Sequence, residues 1–346
     1  MTDTPAPAGP APSGPDGDAT PPRRRRLWLR ILVPVAAVLV LAVAAVGIYA
    51  WTLDRSITQN ITRGIDLPGS DPSASGASAQ PSQAPETGTL DFVLLGSDSR
   101  DPEAEQGRSD SIMVAHLNRA RNKAYNVSFP RDMYVTIPGH GKDKINAAYS
   151  LGGAALTVQT LESLTGVRMD HVALVDFEGF IALTKDLGGV TVTNKTAFTS
   201  HGFDYPKGKV TLEGEKALWF VRERHALPEG DLDRAANQRK VIKAIVAKGL
   251  SADVIADPAR FTSFIGNLAK HMTVDNSLSD AEIRTIAVSL RLQAKDIELL
   301  QAPLSGFGTS PSGESIDLVD TAQLEELSQA LQKDTMDSYL EKHPQG

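Results

Sequence analysis

Leu90-Asp91-Phe92-Val93-Leu94-Leu95, running directly into Gly96-Ser97-Asp98-Ser99-Arg100, is the stretch from which the fold can be read. Its apolar residues fall at both parities, so a strand here is covered on both faces, as in an α/β sheet. Open sheets of this kind place ligands in the loop at a strand's carboxyl end, which makes Asp98 a site candidate from topology. Two more strands follow. Ile112 to Leu117 is preceded by Arg108-Ser109-Asp110, and Lys123 to Phe129 ends in Pro130-Arg131-Asp132. An Arg/Asp pair thus abuts a strand end or start near Asp98, Asp110 and Asp132, and on neighbouring strands these predict a shared site on one edge.

Moving outward, Tyr134 to Ile137 reads as a short extended piece, and residues 147–164 as a helix interrupted at Gly152-Gly153. His171 to Val175 and Val190 to Val192 read as strands around an amphipathic helix, Phe177 to Asp186, stopped by Gly188-Gly189. Residues 194–210 read as a polar loop whose Phe198, Phe203 and Tyr205 serve satellite packing. Farther on come helices near 258–270 and 280–290, a strand near 297–302, an extended piece at 315–319 and a helix at 321–331. The prediction is a single domain over 90–338, a central mixed sheet with helices on both faces, and a frayed end at 339–346.

The chemistry concentrates between Trp219 and Gln238. Trp219-Phe220-Val221-Arg222-Glu223-Arg224-His225 is followed by a turn at Pro228 and Gly230, and a helix capped by Asp231 or Asp233. On that helix Arg234, Gln238, Val241 and Ile245 share one face. A buried stripe opening with Arg and Gln needs an anionic partner, and helix N-termini suit phosphate. Arg222 and Arg224, if extended, project to one side, so three guanidinium forks can surround one multiply charged anion. A surface network with Glu223, Glu229, Asp231 and Asp233 is the alternative on this segment alone.

The chain has 346 residues, a formal charge of −7 and no cysteine. Lack of cysteine excludes disulfides, thiolate metal sites and a thiol nucleophile, and the acidic balance argues against a nucleic-acid partner. Residues 1–30 read as a disordered tail with a basic run at Arg23 to Arg26. Residues 31–51 are uncharged and apolar, long enough to span a bilayer. The arginines before the span set the N-terminus in the cytoplasm and everything after it outside. A cleaved signal peptide is the competing reading, disfavoured by the length of the apolar stretch. Residues 52–89, rich in Ser, Ala, Pro and Gly over much of their length, read as a flexible extracellular linker. The chain carries no Gly-x-Ser-x-Gly elbow, Walker loop, zinc-ligand spacing or dinucleotide glycine fingerprint.

Taken in order, Leu94-Leu95-Gly96-Ser97-Asp98-Ser99-Arg100, Arg108-Ser109-Asp110-Ser111, Phe129-Pro130-Arg131-Asp132, Lys144-Ile145-Asn146-Ala147, Asp186-Leu187-Gly188-Gly189-Val190 and Arg222-x-Arg224 through Asp231, Arg234 and Gln238 resemble the LytR-CpsA-Psr family. That family comprises cell-wall glycopolymer phosphotransferases of Gram-positive bacteria. The resemblance implies a membrane-anchored enzyme facing outward, which moves an anionic glycopolymer with its linking phosphate from a polyprenyl-pyrophosphate carrier to peptidoglycan. It implies pyrophosphate binding by Arg108, Arg131, Arg222, Arg224, Arg234 and Gln238, and a magnesium ion held by Asp98 and Asp110. The base for the acceptor hydroxyl is left open among Asp231, Asp98 and Asp132. Asn237-Gln238-Arg239 stands where many members carry Arg-Gln-Gln, a departure placed at the outer rim of the site. A phosphoanhydride hydrolase without an acceptor, or a non-enzymatic glycan- or lipid-binding protein, are the alternatives.

Overall fold

The computed structural model describes residues 52, 54–68, 88–97 and 109–344. The expected membrane span and basic tail lie outside these residues, as do Asp98 and Arg108. No helix among the described residues is long and apolar enough to cross a membrane.

Among the described residues the first elements are a helix at residues 54–60 (α1) and β1 (Thr62–Ile65). The apolar strands follow, β2 (Leu90–Ser97), β3 (Ser109–Leu117) and β4 (Ala124–Phe129). A hairpin, β5 (Tyr134–Ile137) and β6 (Gly141–Lys144), leads into α2 (Ala147–Thr165), β7 (His171–Asp176) and α3 (Phe177–Asp186). The α2 helix breaks at Gly152 and Gly153, as the paired glycines predict; Gly153 takes φ 63°. Next come β8 (Val190–Asn194), β9 (Phe198–Ser200), β10 (Phe203–Tyr205) and β11 (Gly208–Leu212). The helices α4 (Glu215–Arg222), α5 (Asp231–Gly249), α6 (Ala252–Ile255) and α7 (Pro258–Lys270) precede β12 (Met272–Asp275) and α8 (Asp280–Ser289). The chain closes with β13 (Ile297–Gln301), the hairpin of β14 (Leu304–Thr309) and β15 (Ser315–Val319), α9 (Thr321–Gln332) and α10 (Met336–Lys342).

Seven strands form one sheet in the order β1-β12-β7-β2-β3-β4-β13. Parallel pairs (β1 with β12, β2 with β7, β4 with β13) mix with antiparallel ones, confirming the mixed sheet. Alternation along β2 sorts its side chains. Val93 and Leu95 join a core with α2, α9 and α10, whereas Phe92 and Leu94 face the opposite side, against residues of α7, β12 and α8. On that same side α5 contributes Val246 beside Leu117, Ala124 and Ile297. Helices therefore cover both faces, as β2 predicts.

Three sequence expectations need correction. The stretch 52–89 is not linker throughout: β1, which lies inside it, is the edge strand of the sheet, with Ile61 and Ile65 buried and Arg63 Nε donating to the Leu278 carbonyl at 3.0 Å. Four residues flanked by Asn60 and Asp66 are too short for an alternating signal. The loop at 194–210 is two nested ribbons, β8 with β11 and β9 with β10. The inner one turns on His201 and Gly202, both at positive φ, without the Asn-Gly signature. Its Phe198 and Tyr205 are buried and stacked at 4.6 Å, which is the satellite packing expected. Finally, the C-terminus is folded through α10, where Tyr339 is buried and His343 contacts Glu326 at 2.8 Å.

Candidate anion-binding site

The strands β2, β4, β7 and β13 all point the same way, so the residues after them meet at one edge of the sheet. At this edge β4 ends in Phe129 and Pro130, and the turn that follows is fixed by three backbone hydrogen bonds: Met133 N–H to Pro130 O at 3.0 Å, Ile145 N–H to Met133 O at 2.8 Å, and Asn146 N–H to Arg131 O at 3.2 Å. Met133 and Ile145 are fully buried and anchor the turn. Arg131 and Asp132 are thereby held on rigid backbone, each with a mostly covered side chain.

Across from them, α5 begins at Asp231. Sequence had given Asp231 or Asp233 the capping role; instead Gly230, at φ 54°, occupies the cap and no side chain bonds the helix end. The Asp231 carboxylate is engaged elsewhere. Its Oδ2 lies 2.7 Å from Arg234 Nη2 and 3.0 Å from Arg131 Nε, and its Oδ1 lies 3.9 Å from Arg224 Nη1. Three guanidinium groups from three separate segments therefore converge on one carboxylate. Arg131 is also 3.6 Å from Asp132, whose other oxygen is 3.3 Å from Lys144 Nζ. Arg234 is only 7% exposed in its side chain, so its charge acts with little screening by water. The face predicted for α5 is confirmed at Arg234, Val241 and Ile245, which are buried together.

Arg222 and Gln238 are placed otherwise than the sequence predicts. Arg222 is the last residue of α4, not part of an extended strand, so it does not share a side with Arg224. Its guanidinium lies 5.4 Å over the Trp219 ring, which stacks on His201. Among the described residues it is not on Asp231. Arg108 lies outside the described residues. Gln238 donates from Nε2 to the Val221 carbonyl at 3.3 Å and so ties α5 to the last turn of α4. Arg224 is presented by Glu223, whose Oε1 accepts from the N–H groups of Arg224, His225 and Ala226 at 2.9, 2.8 and 3.0 Å. Burial works against that carboxylate's charge, but hydrogen bonds from Ser200 and these N–H groups outweigh it and hold its pKa below the usual glutamate value.

Asp98 lies outside the described residues, and of Asp110 only the backbone is placed, in β3. Ser97 pairs with Ser109, so the chain leaves and re-enters the sheet at adjacent points of this edge. Among the described residues no group of three or more acidic or imidazole side chains could hold a metal ion.

Sequence reasoning missed three residues here. Lys144, which opens the Lys144-Ile145-Asn146-Ala147 stretch, lies 3.3 Å from Asp132. Arg239, on α5 and partly covered, donates to Gln301 Oε1 at 3.3 Å, and desolvation pulls its pKa down to about 10. Asn237, placed at the rim by sequence, is buried and accepts from Lys240 at 3.0 Å; the cation absent at 237 stands two residues on, at Arg239. The third is Asp317 on β15. Its N–H donates to the Asp132 carbonyl at 2.9 Å, and burial, with the charges of Asp132 and Asp231, pushes its pKa up to about 6. No local pattern marks it, because the contact that brings β15 to the β4 turn spans most of the domain.

A mixed α/β sheet thus gathers three arginines at its carboxyl edge, groups whose forked donors suit a multiply charged anion. The chain belongs to the LytR_cpsA_psr family, whose model matches residues 68–333, and is an enzyme of this glycopolymer-transferase class. It is 36% identical over 241 residues, 69% of this chain and 77% of that protein, to the "Polyisoprenyl-teichoic acid--peptidoglycan teichoic acid transferase TagU" of Enterococcus faecalis. Its fold is similar to the crystal structure of B. subtilis TagV, at TM-score 0.62 and 26% identity, covering 72% of this chain and 98% of the other. It is also similar to TagT bound to LIIa-WTA, at TM-score 0.58 and 29% identity over 79% of this chain and all of the other.

Proposed function

We propose that this chain is anchored in the cell membrane by residues 31–51, with its N-terminus in the cytoplasm and its folded body outside. There it transfers an anionic glycopolymer, with the linking phosphate, from a polyprenyl-pyrophosphate carrier to a hydroxyl of peptidoglycan. The observation that carries this reading is the convergence of Arg131, Arg224 and Arg234 on Asp231. Moving a phosphoryl group off a diphosphate is chiefly a matter of positioning and of stabilising charge on the phosphoryl oxygens. Guanidinium forks suit both tasks, since each can make two parallel bonds to phosphate oxygens. Arg131, fixed by the turn after β4, and Arg234, fixed by α5, orient the diphosphate; Arg224, more exposed, completes the grip.

Asp98 and Asp110 would hold magnesium, which prefers few carboxylates plus phosphate oxygens and would supply charge neutralisation at the diphosphate. The strand register at Ser97 and Ser109 is the feature that supports this pairing. The relatives' printed activity, transfer of teichoic acid to peptidoglycan, supports a wall glycopolymer as cargo.

The test is transfer of a radiolabelled glycopolymer from a polyprenyl pyrophosphate to purified peptidoglycan. Replacing Arg131 or Arg224 by Ala should lower the rate about 10²- to 10³-fold, the loss typical of removing one donor to transition-state charge. Undiminished transfer by both variants would reject the assignment. Release of polyprenyl phosphate at one rate with or without peptidoglycan would favour a hydrolase instead.

A further inference from the structure

The hairpin of β14 and β15 brings one carboxylate to the arginine cluster that the arginines do not engage. Asp317 is 7% exposed, and among the described residues its carboxyl accepts no hydrogen bond and forms no ion pair. Its backbone is pinned: the N–H donates to Asp132 O at 2.9 Å, and residues 133 and 317 form a parallel bridge. The charged groups that act on it are Asp132 and Lys144 from the turns after β4 and within β6, and Asp231 from α5. Asp132 is ion-paired with Lys144 and Arg131, and Asp231 with Arg131, Arg224 and Arg234, although among the described residues Asp231 Oδ1 accepts no hydrogen bond; both carboxylates have cations within ion-pair distance, as Asp317 does not. Phe307 pairs with Asp317 across the hairpin, which places both on one face, and its ring is 67% exposed.

We infer that Asp317 is the base that takes the proton from the acceptor hydroxyl, with Phe307 as the platform on which the acceptor sugar ring lies. This rests on the transferase reading above. The acceptor oxygen forms a bond to the phosphorus that carries the glycopolymer. The bond from that phosphorus to the bridging oxygen breaks, its electron pair leaves with polyprenyl phosphate, and the hydroxyl proton passes to the Asp317 carboxylate. A base works best when its pKa is close to the operating pH, and burial beside two other carboxylates moves Asp317 in that direction, to about 6. The apolar ring faces of a sugar suit an exposed aromatic side chain beside a polar group.

The full chain carries the test, with a polyprenyl-pyrophosphoryl glycopolymer as donor and soluble peptidoglycan fragments as acceptor. Asp317→Asn should lower kcat for transfer about 10²- to 10⁴-fold, the usual contribution of a positioned base. The parent should show an acid limb in its pH profile near 6, and the variant should lack it. Donor affinity should stay within about twofold, and melting should not fall, since the variant keeps the backbone bond and removes a desolvated charge. Phe307→Ala, at an exposed position, should raise the acceptor KM about tenfold with a far smaller change in kcat, as expected for lost ground-state contact. Parent-like kcat and an intact acid limb in Asp317→Asn would overturn the base assignment, and an unchanged acceptor KM in Phe307→Ala would overturn the platform. A parent chain that neither binds the donor nor transfers from it would instead overturn the transferase reading.

Discussion

Asp231 is the residue on which the cluster balances. Removing one partner of a buried ion pair leaves a charge with neither water nor counter-ion, and this costs up to about 3 kcal/mol even where part of the pair meets solvent. Asp231→Asn should therefore lower the melting temperature, chiefly because Arg234, 7% exposed, loses its 2.7 Å contact. Inorganic pyrophosphate should then raise the melting temperature of the variant more than that of the parent, because the added anion takes up the guanidinium groups the carboxylate has released. A thermal melt with and without pyrophosphate reads both effects; an equal shift in the two proteins would show that the arginines do not receive the anion. The same geometry explains what was legible in the sequence. Arg131 and Arg234 announce themselves, one by abutting an apolar strand and the other by polar substitution on an apolar helix face. Asp231 was legible as an acid near them, but its role as their shared partner depends on distances between segments a hundred residues apart.

At the scale of elements, the loop between α4 and α5 sets how far Arg224 reaches. Glu223 closes it by accepting from three successive N–H groups, an arrangement that binds backbone and not ligand. Its lowered pKa means that this contribution is present above the ordinary glutamate value and is lost as pH falls through the lowered one. Glu223→Ala should lower transfer about tenfold by loosening Arg224, with a change in stability of about 1 kcal/mol, as for a half-buried hydrogen-bonding group. Kinetics paired with a denaturant melt separate the two; equal loss of both would mean that the loop is merely part of the core. Elements differ in how openly the chain declares them. β2, β3 and β4 are apolar enough to be seen at once, and the broken α2 is declared by Gly152-Gly153. β1 and β12 are four residues long, with their pairing partners far off in sequence, and their hydrophobic pattern cannot exceed the noise of the surrounding polar residues.

For the molecule as a whole, charge is divided between the two edges of the sheet. The carboxyl edge gathers arginines for a ligand, whereas the opposite edge carries charges that satisfy one another. There His171, at the start of β7, lies 3.2 Å from Asp275 at the end of β12, and both are buried. Asp275 also accepts from the Val172 N–H at 3.0 Å and from the Ser277 hydroxyl, while Glu282 on α8 approaches the other imidazole nitrogen at 3.5 Å. Burial opposes the charge on each partner, but the mutual hydrogen bond and the neighbouring groups outweigh it, raising the His171 pKa and lowering that of Asp275. The signs define a window. The Asp275 contribution is present above the ordinary aspartate value and is lost as pH falls through the lowered one. The His171 contribution is present below the ordinary imidazole value, about 6.5, and is lost as pH rises through the raised one. The pair therefore stabilises the junction of β7, β12 and α8 fully between about pH 4 and 6.5, by about 1.5–3 kcal/mol for hydrogen bonds to charged groups. His171→Gln should lower the melting temperature most inside that window and progressively less as the pH is raised well above it. Transfer measured well below the melting temperature should be unaffected, because the pair sits at the edge away from the arginines. A stability deficit of the same size at every pH would show that His171 acts through packing against Phe92, 5.1 Å away between ring centres, and not through its charge.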